Sequence, residues 1–291
     1  MNKKPNRPVI AMSKLGIRGR FGNQVFQYAF MRIYCSRYSL KLQTGRWVGQ
    51  YLFGHRDPAV SRKFPMIDTR IIREYVNKHS IAKAKKPPFA NVDLIGQFML
   101  HTRHFRPYKS YFRSLFRPVP KIKRIVADGM RKLRRKGKTI VGIHIRRGDF
   151  LNYKNHRIFV CTPVSWYVRW LEQIWPTLKD PVLFIASDDL DSVVKEFKRF
   201  RPVTSKDLVK HFPNDPSYYP DPAFYPDFYF LTQCDAMAIS NSSFSFAASL
   251  LNRRCKIFVR PHPIGKLVPY DPWNSHVKVK FPVKASKKKK K

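Results

Sequence analysis

His144, Arg146 and Arg147 close an apolar, β-branched run, Thr139 to Ile145, and are followed at once by Gly148, Asp149 and Phe150. Strand side chains alternate, so His144 and Arg146 share a face while Arg147 reaches the turn. In an open α/β sheet, ligands sit beyond the carboxyl ends of the strands, and a guanidinium there can grip a diphosphate with paired charge-assisted hydrogen bonds. Arg147 reads as a second contact or as a structural ion-pair residue, and His144 as a ligand contact or as a core histidine. Asp149 is the carboxylate of this peptide, a candidate base or a brace for its own loop.

Two other segments carry chemistry of a related kind. In Ile239 to Ala248 a strand ending near Ser240 feeds a helix beginning near Ser243. Backbone N–H groups and the Ser242 and Ser243 hydroxyls would meet where a helix N-terminus favours an anion. Plain N-capping uses the same geometry. Near the start, Gly19-Arg20-Phe21-Gly22-Asn23-Gln24 reads as a loop in which Gly19 and Gly22 allow close backbone approach and Asn23 offers an amide; a simple turn is the other reading. Asp189-Leu190-Asp191 spells a D-x-D metal motif, but it opens a helix, where acidic residues are expected anyway. The histidines and cysteines show no zinc spacing, so no metal site is expected.

These residues need strands to carry them. The carboxyl half alternates strand and helix: a strand over Thr139–Ile145, and a helix capped by Thr162-Pro163 with Val164, Val168, Leu171 and Trp175 on one face. A strand over Pro181–Ala186 follows, then a helix capped by Ser187 or Asp188. Beyond a Pro-rich passage come a helix from Asp227 to Cys234, a strand from Ala236 to Ser240, a helix from Ser243 to Asn252 and a final strand from Lys256 to Arg260. This is a Rossmann-like pattern. In the amino half, Val9–Met12 and Val92–Ile95 read as strands and Gln24–Tyr38 as a helix, while residues 45–90 give no clear pattern. The expected division is residues 1–137, residues 138–283 and a basic disordered tail, 284–291.

Bulk composition bounds the partners. The 291 residues are 43% hydrophobic and 26% charged, a folded balance, yet 58 Lys+Arg against 18 Asp+Glu leave a formal charge of +40. Between His101 and Ile140, 14 basic residues face the single acid Asp128. Such a surface attracts polyanions, an anionic membrane face or an acidic polysaccharide, in a salt-dependent way. Four cysteines without a CxxC pair indicate a reducing setting. With no secretory leader pattern and no 18-residue apolar stretch, a cytoplasmic protein, soluble or peripherally membrane-associated, is expected.

Together the three peptides resemble the α-1,2-fucosyltransferases of glycosyltransferase family 11 and, more distantly, the α-1,6- and protein O-fucosyltransferases that share the arginine peptide. Gly96-Gln97-Phe98, Ser187-Asp188-Asp189 and Asp227-Phe228-Tyr229-Phe230-Leu231 fit in the same order, so the resemblance spans roughly residues 8 to 260. It implies a GT-B-like α/β fold with two facing Rossmann-like domains. It also implies inverting transfer of L-fucose from GDP-fucose to a glycan hydroxyl, in an α-1,2 linkage and without metal or other cofactor. The resemblance places Arg146 on the β-phosphate, His144 on the nucleotide, Asp227 on guanine N1–H and N2–H, and Gly22 with Asn23 at the diphosphate or fucose. An exposed aspartate at a helix start remains the other reading of Asp227. Phe246-Ala247-Ala248 stand where the family has tryptophans, which bears on packing or on the acceptor. The competing expectations are a related enzyme using another nucleotide sugar, and a basic polyanion-binding protein stacking bases on Phe105, Tyr108, Tyr111, Phe112 and Phe116. No nucleic-acid motif supports the latter, and no specific nucleic acid is expected.

Overall fold

The structure, a computed structural model, describes residues 7–283 apart from 69, 73, 75, 77–83 and 154. The expected tail, 284–291, lies outside the described residues. The chain forms two compact units, one running to Ile125 and taking up His211–Tyr225 and Trp273–His276, the other holding Val126–Lys210, Pro226–Pro272 and the chain from Val277. This differs from a single boundary near residue 137. The cause is the helix Pro120–Arg134, whose later turns pack into the second unit. There Gly129 lies so close to Phe230 and Val209 that a Cβ would stand 2.7 Å from the Phe230 ring. Arg134 completes the anchor, donating to the Gln233 carbonyl at 2.9 Å and pairing with Asp235.

The first unit holds a parallel sheet of β1 (Val9–Met12), β2 (Lys41–Thr44), β3 (Met66–Asp68) and β4 (Val92–Ile95) in the order β2-β1-β4-β3. The helix Phe21–Tyr38 is the crossover from β1 to β2, and its apolar residues from Val25 to Ile33 are buried. It begins at Phe21 and not at Gln24. Among the elements that escaped sequence reading are β2, which is too short to show alternation, β3 and the helix Val48–Phe53 within the unplaced stretch, and the helix Lys109–Ser114.

The second unit is built on β5 (Thr139–Ile145), β6 (Pro181–Ser187), β7 (Ala236–Ala238), β8 (Ile257–His262) and β9 (Lys266–Pro269), in the order β6-β5-β7-β8-β9. The first four strands run parallel, and β9 closes the edge antiparallel to β8. The expected final strand is therefore followed by another. Inner strand β5 is buried on both faces, as its continuous apolar run requires. Val141, Ile143 and Ile145 pack with Leu183 and Ile185 of β6 and with Tyr167 and Leu171 of the helix Val164–Ile174. Truncating one of these to alanine would cost about 2–5 kcal/mol. The four cysteines are free thiols. Among the described residues no helix is long and apolar enough to cross a membrane.

Candidate functional site

In the second sheet the chain leaves β5 for β6 on one side, and β7 lies on the other. Strand order thus reverses between β5 and β7, the position where open α/β sheets bind ligands at their carboxyl ends. His144 arrives there on β5, Arg146 directly after it and Ser240 to Ser243 after β7. The two strand ends are joined directly: His144 Nδ1 lies 2.8 Å from Ser240 Oγ. His144 is 4% exposed, and burial, followed by the charges of Arg146 and Lys278, holds its imidazole down at about 3. It is a neutral, buried histidine near the carboxyl end of β5.

Arg146 is held between two carboxylates. Its Nη1 lies 2.6 Å from Asp188 Oδ2, its Nη2 pairs with Asp149, and its Cζ stands 5.2 Å from the centroid of the Phe150 ring. Asp149 thus braces the arginine. Arg147 behaves as an ion-pair residue, with its Nε 3.4 Å from Asp189 Oδ2 and its backbone N–H donating to Asp188 Oδ1 at 2.8 Å. Asp188 therefore serves both arginines and does not cap the following helix as expected. Gly148, at φ +27°, lies against this carboxylate, which a Cβ would overlap.

The serine loop combines capping with a buried strut. Ser242 Oγ accepts from the Phe244 N–H at 3.3 Å at the head of the helix Ser243–Leu251. Asn241 donates through Nδ2 to the carbonyls of Ile158 and Val279, 2.8 and 2.9 Å, and accepts from the Val279 N–H. Its amide is wholly engaged in the fold. The segment it holds brings in Lys278, whose Nζ donates to the Asn241 carbonyl at 2.7 Å. Burial and the neighbouring Arg146 lower its ammonium to about 7, against the opposing charge of Asp149. Sequence reading missed both Asp188 and Lys278. The first reads only as an alternative helix cap to Ser187, and the second lies in an ordinary alternating stretch, Val277 to Lys280.

Asp227 lies in the first turn of the helix Tyr225–Leu231. Burial raises its carboxyl to about 6, opposed by a hydrogen bond with Ser205 and the charge of Lys206. It is not an exposed, dipole-stabilised aspartate. Its neighbour Phe228 stacks edge-on against Phe244, centroids 5.3 Å apart, and Phe244 lies 5.2 Å from the His144 ring. A row of rings thus ties this helix to the serine loop and to β5.

In the first unit, Gly22 and Asn23 stand in the first turn of the helix Phe21–Tyr38 and not in a loop, and Gly22 has no positive φ. Gly19, at φ +88°, is the glycine the turn requires: a Cβ there would meet Asn23 Nδ2 at 2.6 Å and Gln97 Oε1 at 2.9 Å. Gln24 and Gln27, both fully buried, pin the surrounding turns. Gln24 Nε2 donates to the carbonyls of Gly19 and Tyr219, and Gln27 Nε2 to those of Arg18 and Gly96.

Among the described residues no group of three or more His, Cys, Asp or Glu is placed to hold a metal ion. Asp189 Oδ2 accepts the Ser192 hydroxyl at 2.5 Å besides facing Arg147. Of the five aromatics in the nucleic-acid reading, Phe105 and Phe112 are wholly buried and Phe116 is nearly so, while Tyr108 and Tyr111 are half-buried.

Comparison with known proteins agrees with this geometry. No curated protein matches the chain by sequence. Among solved structures, NodZ α-1,6-fucosyltransferase from a crystal soaked with GDP-fucose superposes with a TM-score of 0.59 at 14% identity, over 91% of this chain and 99% of that one. The fucosyltransferase NodZ from Bradyrhizobium gives 0.58, also at 14% identity, with coverage of 91% and 99%. An Arg-to-Lys mutant of Arabidopsis thaliana FUT1 in complex with GDP gives 0.56 at 11% identity, over 92% of this chain and 75% of that one. At such identities the likeness is one of fold, and it upholds the GT-B-like α/β class. The sequence profile of glycosyl transferase family 11 matches residues 2–264, and with the arginine strand and serine loop at one switch point, the chain belongs to glycosyl transferase family 11.

Proposed function

We propose that this chain is an inverting fucosyltransferase that moves L-fucose from GDP-fucose to a glycan hydroxyl, in an α-1,2 linkage and without metal. The observation that carries this reading is the convergence of Arg146 and the serine loop at the β5–β7 switch point, bridged by His144 and Ser240. Departure of GDP leaves charge on the β-phosphate, and fixed donors aimed at that charge lower the barrier. Arg146 supplies a planar fork, already aimed by Asp188 and Asp149. Ser242, Ser243 and the helix start supply neutral donors. Asp149, expected as a candidate base, takes the bracing role because Arg146 engages its carboxylate. Asp227 is assigned to guanine, where one carboxylate accepts from both N1–H and N2–H. Gly22 and Asn23 are assigned, on the family resemblance alone, to the diphosphate or fucose.

Calorimetric titration with GDP, UDP, GDP-fucose and GDP-mannose tests the donor, and linkage analysis of the product tests the acceptor bond. Preference for GDP-mannose would move the proposal to another nucleotide sugar. Within this reading the basic surface concentrates the enzyme at an anionic membrane or acidic polysaccharide; the helix Pro120–Arg134 exposes Lys121, Lys123, Arg124 and Arg131. A chain ending at Val283 should bind anionic vesicles more weakly, by at most about 1 kcal/mol per lost lysine, while turning over a small acceptor normally.

A further inference from the structure

Lys278 lies past the residues matched by the family profile, yet its Nζ stands among the donor-site groups. It donates to the carbonyl at the head of the serine loop, 2.7 Å, and lies 5.6 Å from the centroid of the Phe150 ring, the same ring that Arg146 packs on. The charged and titratable groups facing it are the Arg146 guanidinium and the Asp149 carboxylate on the turn after β5, and the His144 imidazole on β5 itself. That carboxylate is already engaged by Arg146. An ammonium buried against a carbonyl and an aromatic face, beside a second cation, is costly unless an anion joins them.

We propose that Lys278 is a second cation of the donor site, its ammonium meeting the diphosphate alongside Arg146. This rests on the reading that the site takes a nucleotide diphosphate. It gives Lys278 a role that a structural lysine would not have. Burial and the Arg146 charge hold the group at about 7, so above that range arrival of the diphosphate draws a proton from solvent onto Nζ. Affinity for the diphosphate then falls as pH rises from about 7, in line with the ordinary linkage of proton and ligand binding. His144 stays neutral throughout and adds nothing to this window.

The test is calorimetric titration of wild type, Lys278→Arg and Lys278→Met with GDP, UDP and inorganic pyrophosphate at pH 6.5 and 8, each in two buffers of different ionisation enthalpy. Ionisation of the ligands themselves is common to all three proteins. Wild type should take up more protons at pH 8 than Lys278→Arg, which should bind with a flatter pH dependence. Lys278→Met should bind pyrophosphate at least ~10-fold more weakly at pH 6.5, the loss of one charge-assisted contact. Equal proton uptake in wild type and Lys278→Arg would overturn the inference, even if the Met variant does not fold. Lys278-dependent uptake with pyrophosphate, but no preference for GDP over UDP, would keep this inference and overturn the guanine-nucleotide reading; no binding of either would overturn both.

Discussion

Arg146 and Asp188 meet across two adjacent parallel strands, Nη1 to Oδ2 2.6 Å, each standing one residue beyond the registered pair Ile145 and Ser187. The pairing therefore follows from the β5–β6 register. A carboxylate on the neighbouring strand aims the guanidinium proposed to hold the leaving diphosphate, and it also accepts from the Arg147 N–H.

Asp188→Asn keeps the shape and the acceptor for that N–H but removes the charge. Turnover should fall ~10-fold, with a stability loss of about 1–2 kcal/mol, because the pair is partly buried and Arg146 keeps only the more exposed of its two carboxylate partners. Asp149→Asn, at the more exposed carboxylate, should be milder. Steady-state kinetics and thermal melts on both variants check this; equal, small effects would show that Arg146 needs no such aiming.

Asp227 should set the base preference and an acid limit. Guanine donors bind the ionised carboxylate, and burial holds this group at about 6, so GDP affinity should weaken as pH falls below that value. Asp227→Asn should lose at least ~10-fold of the preference for GDP over ADP, about 1.4 kcal/mol, and lose this acid limb. Titration at pH 5, 6 and 7 measures it.

Acid should destabilise the fold through two histidines. Burial holds His144 at about 3 and His55 at about 4, against an ordinary value near ~6.5 in the unfolded chain. The unfolded state therefore takes up protons first, and stability falls as pH drops from about 6.5 through about 4. Asp227, raised in the folded state, acts in the opposite sense between about 6 and about 4, but with a smaller shift than His144. His144→Gln should show a shallower decline in melting temperature across this window than wild type; an unchanged slope would contradict the buried neutral imidazole.

Metal removal should leave transfer intact. Arg146 and the serine loop provide the counter-charge, and Asp189 is engaged with Arg147 and Ser192. Activity abolished by excess EDTA and restored by Mn²⁺ would return Asp189 and Asp191 to the role of metal ligands.

The second unit was legible in the sequence because β5, β6 and the helix Val164–Ile174 are long enough for periodicity to show. β2 and β9, of four residues each, carry no such signal. The helix Pro120–Arg134 carries no sequence signal for which compact unit its turns join; Gly129 packing on Phe230 sets that for the later turns. Motif spacing singled out His144 and Arg146, since one peptide carries both. It could not find Asp188 as their partner, which depends on register between strands, or Lys278, which reaches the site through Asn241.

The most direct test of the account is Arg146→Lys. Lysine keeps the charge but replaces a planar five-donor fork with a point charge, so the bidentate grip is lost while electrostatic attraction remains. Steady-state transfer from GDP-fucose, with circular dichroism to confirm folding, should show turnover reduced by ~10²-fold or more. Near-wild-type turnover in the folded variant would contradict the phosphate-clamp role and, with it, the mechanism proposed for this site.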